Sequence, residues 1–247
     1  MRTVFTANKL LRQSFRATVI LLSTACGNPT ADGSSKGDVY FTGERAVELQ
    51  RAISREELSA IDGAVARGAD VNAVGRDGIT PLTFAMSEGR KRSFQKLLEL
   101  GANPNVVYSQ ADSAVHLAAV ASDPDWLTLV MRHGGNPNLS DSRGYTPLFG
   151  AVAAKQPENL RILISAGADL DYRDSHGNSA ILRASSINRY DLVFILLEKG
   201  ADYRVRDNWG RTLADDVRTS RIASPSDLSE WRDRVAKWLE QKGIKVY

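Results

Sequence analysis

The feature that most constrains the fold is a period of 33 residues, which the chain keeps over five copies. Glycine recurs in one register of this period: Gly68, Gly101, Gly134, Gly167 and Gly200. Threonine or serine recurs in a second register: Thr80, Ser113, Thr146, Ser179 and Thr212. A repeat of this length cannot bury its apolar face alone and must stack on its neighbours. The period therefore predicts an array of similar units.

The copy at residues 141–173 indicates the structure of one unit. Asp141 and Gly144 are typical of a tight turn. Thr146 and Pro147 predict a helix start, because a threonine hydroxyl can accept a hydrogen bond from a backbone N–H and proline needs no N–H at the first helical position. Two apolar stripes at helical spacing follow: Leu148, Ala151 and Val152, then Leu160, Leu163 and Ile164. Gly167 favours a left-handed stop, so the predicted unit is turn, helix, loop, helix.

These residues resemble the ankyrin repeat, whose pattern is D-x-x-G-x-T-P-L-H-x-A-A followed by L-L-x-x-G-A-D-x-N. The matching residues are Asp141, Asp174 and Asp207; Gly78, Gly144, Gly177 and Gly210; Ala69, Ala102, Ala168 and Ala201; and Asn72, Asn105 and Asn138. The resemblance implies an all-α ankyrin-repeat solenoid of about six helix-turn-helix units with short β-turn fingers. We place the units at about 44–74, 75–107, 108–140, 141–173, 174–206 and 207–247.

The first and last units depart from the pattern, as terminal repeats usually do because one of their faces meets water. Val47 and Glu48 stand where threonine and proline are expected. The last unit is about ten residues longer than the others. Residues 227–242 predict a long amphipathic closing helix. Trp231 and Trp238 belong either to the packing of that helix or to a site for a partner.

Residues 1–25 have the pattern of an export signal. A basic segment without acidic residues precedes the short apolar run Ala17–Leu22, and small residues lead up to Cys26. The end of this segment resembles a bacterial lipobox, which implies a lipid anchor on Cys26, although Ser23 replaces the usual leucine. Simple export, or a cytosolic protein whose N-terminus matches by chance, are the alternatives. We expect a signal peptide at 1–25, a flexible tether at 26–43 and a periplasmic location, with outer-membrane tethering if Cys26 is lipidated.

Composition and motifs argue against catalysis and against nucleic-acid binding. The net charge of +3 arises from the basic residues of the predicted leader, so the folded part is not basic overall. His116, His133 and His176 lie at different places in the repeat, so they do not form a metal site. The resemblance implies a structural hydrogen bond for His116. We expect neither a cofactor nor enzyme activity.

The positions that differ between the repeats carry the predicted binding site. In ankyrin arrays, the turn fingers and inner helices line a concave binding face, and Trp, Tyr and Arg dominate interface hot spots. The predicted partner-binding residues are Arg76, Tyr108, Arg143, Tyr145, Tyr172, Arg173, His176, Asn178, Arg204, Arg206, Asn208, Trp209 and Arg211. The arginines of the C-terminal half suggest an acidic patch on the partner. Alternatively, they are solvated or pair with aspartates along the row of fingers, namely Asp169, Asp171, Asp174, Asp202 and Asp207.

Together, the leader and the repeats predict an exported, non-catalytic protein binder that is monomeric when unbound. Short exported bacterial ankyrin proteins include immunity proteins that neutralise antibacterial toxins, among them phospholipases delivered by type VI secretion. The resemblance therefore favours an immunity protein that inhibits a secreted effector. The alternative is a periplasmic ankyrin protein that supports a stress or redox enzyme.

Overall fold

A computed structural model describes residues 39–107, 112–223 and 225–246 of the protein. The predicted signal peptide, Cys26 and Tyr108 lie outside the described residues. The chain divides into two compact units between residues 111 and 112, and each is described by itself.

The N-terminal unit contains two helix pairs. They are α1 (Glu44–Ser54) with α2 (Leu58–Ala66), and α3 (Pro81–Ser87) with α4 (Lys91–Glu99). Within each pair the helices pack on each other, and α1 and α2 pack on α3 and α4 respectively. One 3-10 turn, Arg76–Gly78, precedes α3. The helix pairs follow one another along the chain in the order that the 33-residue period predicts.

The C-terminal unit contains four more pairs. They are α5 (Ala114–Val120) with α6 (Asp125–Arg132), α7 (Pro147–Ala153) with α8 (Pro157–Ser165), α9 (Ala180–Ser186) with α10 (Tyr190–Glu198), and α11 (Leu213–Thr219) with α12 (Asp227–Gln241). The first helices of the pairs form one packed layer, and the second helices form the other. The predicted all-α fold is confirmed for the described residues, which contain no strand. None of these helices is long and apolar enough to cross a membrane.

The predicted helix start is confirmed in part. Each first helix, from α3 onward, begins after the repeating threonine or serine. The Thr80 hydroxyl accepts a hydrogen bond from the N–H of Thr83 at 3.2 Å. The buried hydroxyls of Thr146 and Ser179 have no hydrogen-bond partner among the described residues, contrary to the prediction for Thr146. In these two repeats the residue three positions later is Phe149 or Leu182, and neither side chain can bond a hydroxyl.

His116 shows what a polar residue achieves at that same position. One of its ring nitrogens, Nδ1, lies 2.8 Å from the Ser113 hydroxyl. The other, Nε2, lies 3.2 Å from the backbone oxygen of Tyr145 in the next repeat. His116 thus makes the structural hydrogen bond that the resemblance implied and also ties α5 to the turn before α7.

Packing begins earlier than the predicted tether boundary at residue 43, which is a correction to that boundary. Phe41 is buried, with 3% of its surface exposed, and the N–H of Tyr40 donates to Gln50 Oε1 at 3.0 Å. The N–H of Arg76 donates to the oxygen of Tyr40 at 2.8 Å. A Cβ at position 75 would lie 2.6 Å from that oxygen, which explains why Gly75 replaces the aspartate of the repeat. Apolar burial of the Phe41 ring therefore fixes residues that their composition assigned to a tether.

The closing helix α12 packs its two tryptophans onto the preceding repeat. The ring of Trp231 lies 5.5 Å from that of Phe194, and the ring of Trp238 lies 5.1 Å from that of Tyr203. Both tryptophans are half-buried. Of the two alternatives left open above, the structure supports intramolecular packing. As the second helix of the last pair, this helix covers the apolar side of α10.

Candidate protein-binding surface on the fingers

Three fingers in the C-terminal unit share one construction. We name them the 141 finger (residues 141–145), the 174 finger (residues 174–178) and the 207 finger (residues 207–211). Each begins with an aspartate whose carboxylate accepts hydrogen bonds from the backbone N–H groups two and four residues later. The distances lie between 2.8 and 2.9 Å in Asp141, Asp174 and Asp207.

These aspartates are buried, although aspartate is rarely found inside proteins without partners. Their side chains are 3%, 1% and 2% exposed in Asp141, Asp174 and Asp207. A backbone hydrogen bond also closes each finger, from the N–H of the aspartate to the oxygen four residues later. Because the buried carboxylate satisfies two N–H groups at once, each finger is a rigid support for the side chains at its tip.

Two predicted arginines are bound to their own finger. Arg143 Nε donates to Asp141 Oδ2 at 2.8 Å, and Arg211 Nε donates to Asp207 Oδ2 at 2.7 Å. Burial opposes ionisation of Asp207, but the hydrogen bonds from Arg211 and from the N–H of Trp209 outweigh it and lower the Asp207 pKa. Both arginines therefore form an ion pair within their own finger, and the Arg211 side chain is still 54% exposed.

Asp112 joins the first of these ion pairs. Its Oδ1 lies 3.3 Å from Arg143 Nη2. Burial raises the pKa of Asp112, although the charge of Arg143 acts in the opposite direction. Arg143 therefore bridges two carboxylates and has little freedom to turn towards a partner.

The 174 and 207 fingers are tied to each other by several hydrogen bonds. The N–H of Asn208 donates to the oxygen of His176 at 3.0 Å, and Asn208 Nδ2 donates to the oxygen of Ser175 at 3.1 Å. Arg173 Nε donates to the oxygen of Gly177 at 3.1 Å. Arg173 Nη2 also donates to the backbone oxygen of Arg206, the residue directly before the 207 finger. A Cβ at position 177 would lie 2.4 Å from Asn208 Oδ1, so this approach requires glycine, whose φ is +75°. The two fingers consequently form one platform.

Trp209 stands at the tip of this platform and is 66% exposed. Its ring stacks beside that of His176, with 6.0 Å between centroids and 20° between planes. The Arg211 guanidinium lies 5.5 Å from the centre of the indole. A large aromatic side chain that is exposed yet held in place is the residue type expected to anchor an interface.

A second aromatic group lies on the 141 finger. The ring of Phe149 lies 6.0 Å from that of Tyr145 and 6.2 Å from that of Tyr172. Tyr172 donates its hydroxyl hydrogen to the oxygen of Gly144 at 3.0 Å. Phe149 was not among the predicted site residues, and the structure shows its ring to be only 3% exposed. Phe149 stands where the repeat pattern has histidine after Thr-Pro-Leu. This departure from the pattern was the signal that could have indicated a role for Phe149.

The remaining predicted residues are dispersed. Asn178 Nδ2 lies 3.3 Å from Asp174 Oδ2 and supports the finger. Arg206 Nη1 donates to the oxygen of Gly210 at 3.0 Å, and the Arg204 guanidinium lies over the Tyr203 ring at 5.0 Å. Arg76 belongs to the N-terminal unit, where it contacts the Tyr40 ring at 5.1 Å. Within the described residues, no group of three or more His, Cys, Asp or Glu side chains could hold a metal ion.

Comparison with known proteins agrees with the repeat construction. A family model described as ankyrin repeats (3 copies) matches residues 115–207, and a model of the single ankyrin repeat matches residues 77–108. Together the two models match just over half of the chain. No curated protein matches the sequence.

Two solved structures show a similar fold. The crystal structure of the ankyrin repeat protein EF0377 has a TM-score of 0.67 and 23% identity, over 81% of this chain and 99% of its own. An ankyrin repeat domain from Acinetobacter baumannii AYE has a TM-score of 0.67 and 23% identity, over 80% of this chain and 98% of its own. At this identity the likeness shows the fold alone. With the family models, the repeat pattern and the finger geometry in agreement, the chain belongs to the ankyrin repeat family, whose members are typically protein-binding scaffolds.

Proposed function

We propose that the protein is a non-catalytic binder that holds a protein partner on the fingers of its C-terminal unit. The observation that carries the proposal is the exposed indole of Trp209 on the platform of the 174 and 207 fingers. Exposing a large apolar ring to water is unfavourable, and burying one in an interface contributes about 2 kcal/mol or more at hot spots. Because buried carboxylates and finger-to-finger hydrogen bonds fix the platform beforehand, binding loses little conformational entropy.

We further propose that the partner is a toxic effector enzyme of the phospholipase type and that binding inhibits it in the bacterial periplasm. Support comes from the export signal predicted at residues 1–25 and from the resemblance to exported ankyrin proteins, of which immunity proteins are one group. A rigid binder without catalytic machinery, tethered at the membrane where a lipase acts, has the properties that an inhibitor needs. It would act by covering the entrance of the effector's active site.

The immunity role predicts that a toxin gene lies beside the gene of this chain, and the experiment is a protection assay in bacteria that export this toxin to their own periplasm. The full chain should restore growth and bind the purified effector with a dissociation constant of about nanomolar order, as enzyme–inhibitor pairs of standard interface size do. The double variant Trp209→Ala, Arg206→Ala should lose protection while its melting temperature stays unchanged. Arg161→Ala is the matched control, because Arg161 is exposed on α8 and, among the described residues, pairs only with Glu158 of the same helix.

Three results would contradict the proposal. A double variant that protects as well as the native chain removes the fingers from the interface. A double variant with a lowered melting temperature shows that Trp209 supports the fold rather than a partner. Loss of peroxide resistance on deletion of the gene, without any effect on effector toxicity, favours the alternative role in supporting a stress or redox enzyme.

A further inference from the structure

One edge of the 174 finger is covered by the 207 finger. The equivalent edge of the 207 finger is not covered by any described residue. The oxygen of His176 accepts a hydrogen bond from the N–H of Asn208 at 3.0 Å. The residue at the same place one repeat later is Trp209, whose oxygen accepts no hydrogen bond from any described residue. A Cβ on Gly177 would contact Asn208, whereas nothing lies within 4 Å of a Cβ on Gly210. The edge of the 207 finger therefore has both the acceptor and the space for one more extended segment of backbone.

The same edge presents arginines on its outside, while the aspartates that open the two fingers are buried. The Asp174 and Asp207 side chains are 1% and 2% exposed, whereas the Arg211 side chain is 54% exposed. Arg206 is also exposed, and its Nη1 is held at the oxygen of Gly210. In the sequence, the charges of Asp207 and Arg211 cancel. In the structure, the carboxylate is buried and the guanidinium group is exposed. Opposite charge on a partner would be attracted to this edge.

Trp209 gives the edge an apolar centre. Its indole is exposed in spite of its contacts with His176 and Arg211. Planar and apolar side chains gain dispersion and hydrophobic energy on such a surface. Cations around an exposed ring favour a segment in which carboxylates flank an apolar side chain.

We infer that the 207 finger binds an extended acidic segment of a protein partner. A backbone N–H of the segment donates to the oxygen of Trp209, an apolar side chain lies on the indole, and carboxylates pair with Arg206 and Arg211. The inference rests on the proposed function to the extent that the partner is a protein. A single-stranded nucleic acid also offers anions and planar groups, but its backbone has no N–H for the Trp209 oxygen, so the geometry favours a peptide.

The test uses the full chain and short fluorescein-labelled peptides. One peptide alternates glutamate with phenylalanine, a second has lysine in place of each glutamate, and a third is the acidic peptide with its backbone nitrogens methylated. Fluorescence anisotropy at low salt should show that the acidic peptide binds about tenfold or more tightly than the lysine peptide. Methylation should weaken binding severalfold because it removes the N–H donors. Trp209→Ala should weaken binding about tenfold or more, as expected for a hot-spot residue, whereas Arg161→Ala should leave it unchanged.

The inference is overturned if no peptide binds, if the acidic and lysine peptides bind equally, or if methylation or Trp209→Ala has no effect. Tighter binding of an oligothymidylate than of the acidic peptide overturns it as well and identifies the edge as a nucleic-acid site. The two proposals fail separately. An effector that binds and depends on Trp209, together with an inert acidic peptide, refutes only this inference, whereas a bound acidic peptide without effector protection refutes only the immunity role.

Discussion

Two buried threonines at equivalent helix starts should respond in opposite directions to loss of the hydroxyl. Thr80 and Thr146 are 4% and 2% exposed, and both have extended backbone before a proline-initiated helix. The Thr80 hydroxyl accepts from the N–H of Thr83 at 3.2 Å and lies 3.2 Å from the Thr83 hydroxyl. The Thr146 hydroxyl has no partner among the described residues. Replacing each threonine with valine keeps the shape and changes only the hydroxyl.

The magnitudes follow from what each hydroxyl does. At Thr80, valine removes a helix cap, which costs about 1 kcal/mol of unfolding free energy, and it leaves the Thr83 hydroxyl without one of its partners. At Thr146, there is no cap to lose. An unpartnered buried hydroxyl costs about 1–3 kcal/mol, so valine should raise the unfolding free energy by about 1 kcal/mol or more. The two variants should differ by about 2 kcal/mol or more in total.

Urea unfolding of the full chain, followed by circular dichroism at the helix band, measures the difference. Heating should show it too, because about 1 kcal/mol shifts the melting temperature by about 2–4 °C in a chain of this size. Thr146→Ser is the matched control, since it keeps the hydroxyl and removes only the methyl group, and it should not stabilise the protein. If Thr146→Val lowers stability by as much as Thr80→Val, the Thr146 hydroxyl caps α7 and the explanation through Phe149 is wrong.

Three further predictions concern the fingers and their hydrogen bonds. Gly177→Ala should lower the melting temperature by more than Gly210→Ala. Both positions have positive φ, but only a Cβ at position 177 would contact Asn208. Equal falls in melting temperature would refute the close approach. His116→Phe should lower the unfolding free energy by about 2 kcal/mol, from two hydrogen bonds of about 1 kcal/mol each, and a loss below about 0.5 kcal/mol in urea unfolding would contradict it. Because the Asp207 pKa is lowered in the folded protein, the stabilisation it provides is complete above its ordinary value of 3.8 and is lost as the pH falls through the folded pKa. Melting temperatures recorded against pH should therefore fall less steeply in acid for Asp207→Asn than for the native chain, and parallel curves would refute this.

Much of the fold could be predicted because each repeat signals its own start and stop. A threonine or serine marks each first-helix start from α3 onward, and the periodic glycines adopt positive φ where the second helices end. These signals are local, so they can be recognised without knowledge of the rest of the structure. Phe41 shows the limit of such reasoning. Its segment has the composition of a tether, but its burial depends on a cavity that other residues form.

The site was harder to predict because its properties depend on pairs of residues in different repeats. Arg143, His176 and Trp209 occupy one register of the period, and the sequence alone does not show which residues lie next to each. The structure separates them by what lies next to each. Arg143 is held between two carboxylates, the backbone oxygen of His176 is bonded by the following finger, and Trp209 has no following finger in the described residues.

The aspartates of the fingers show why counting charges misleads in a repeat protein. Asp207 and Arg211 cancel in the sequence, yet one side chain is 2% exposed and the other 54%. A partner at contact distance meets the guanidinium first, while the carboxylate lies behind it and is already engaged by two N–H groups. The fixed aspartate that makes the repeat recognisable thus also makes the outside of the finger cationic. Asp207→Asn should preserve the backbone hydrogen bonds better than alanine would, yet it removes the charge that holds Arg211. The acidic peptide should then bind more weakly, and unchanged binding would show that recognition at the 207 finger does not need the orientation of Arg211 that Asp207 fixes.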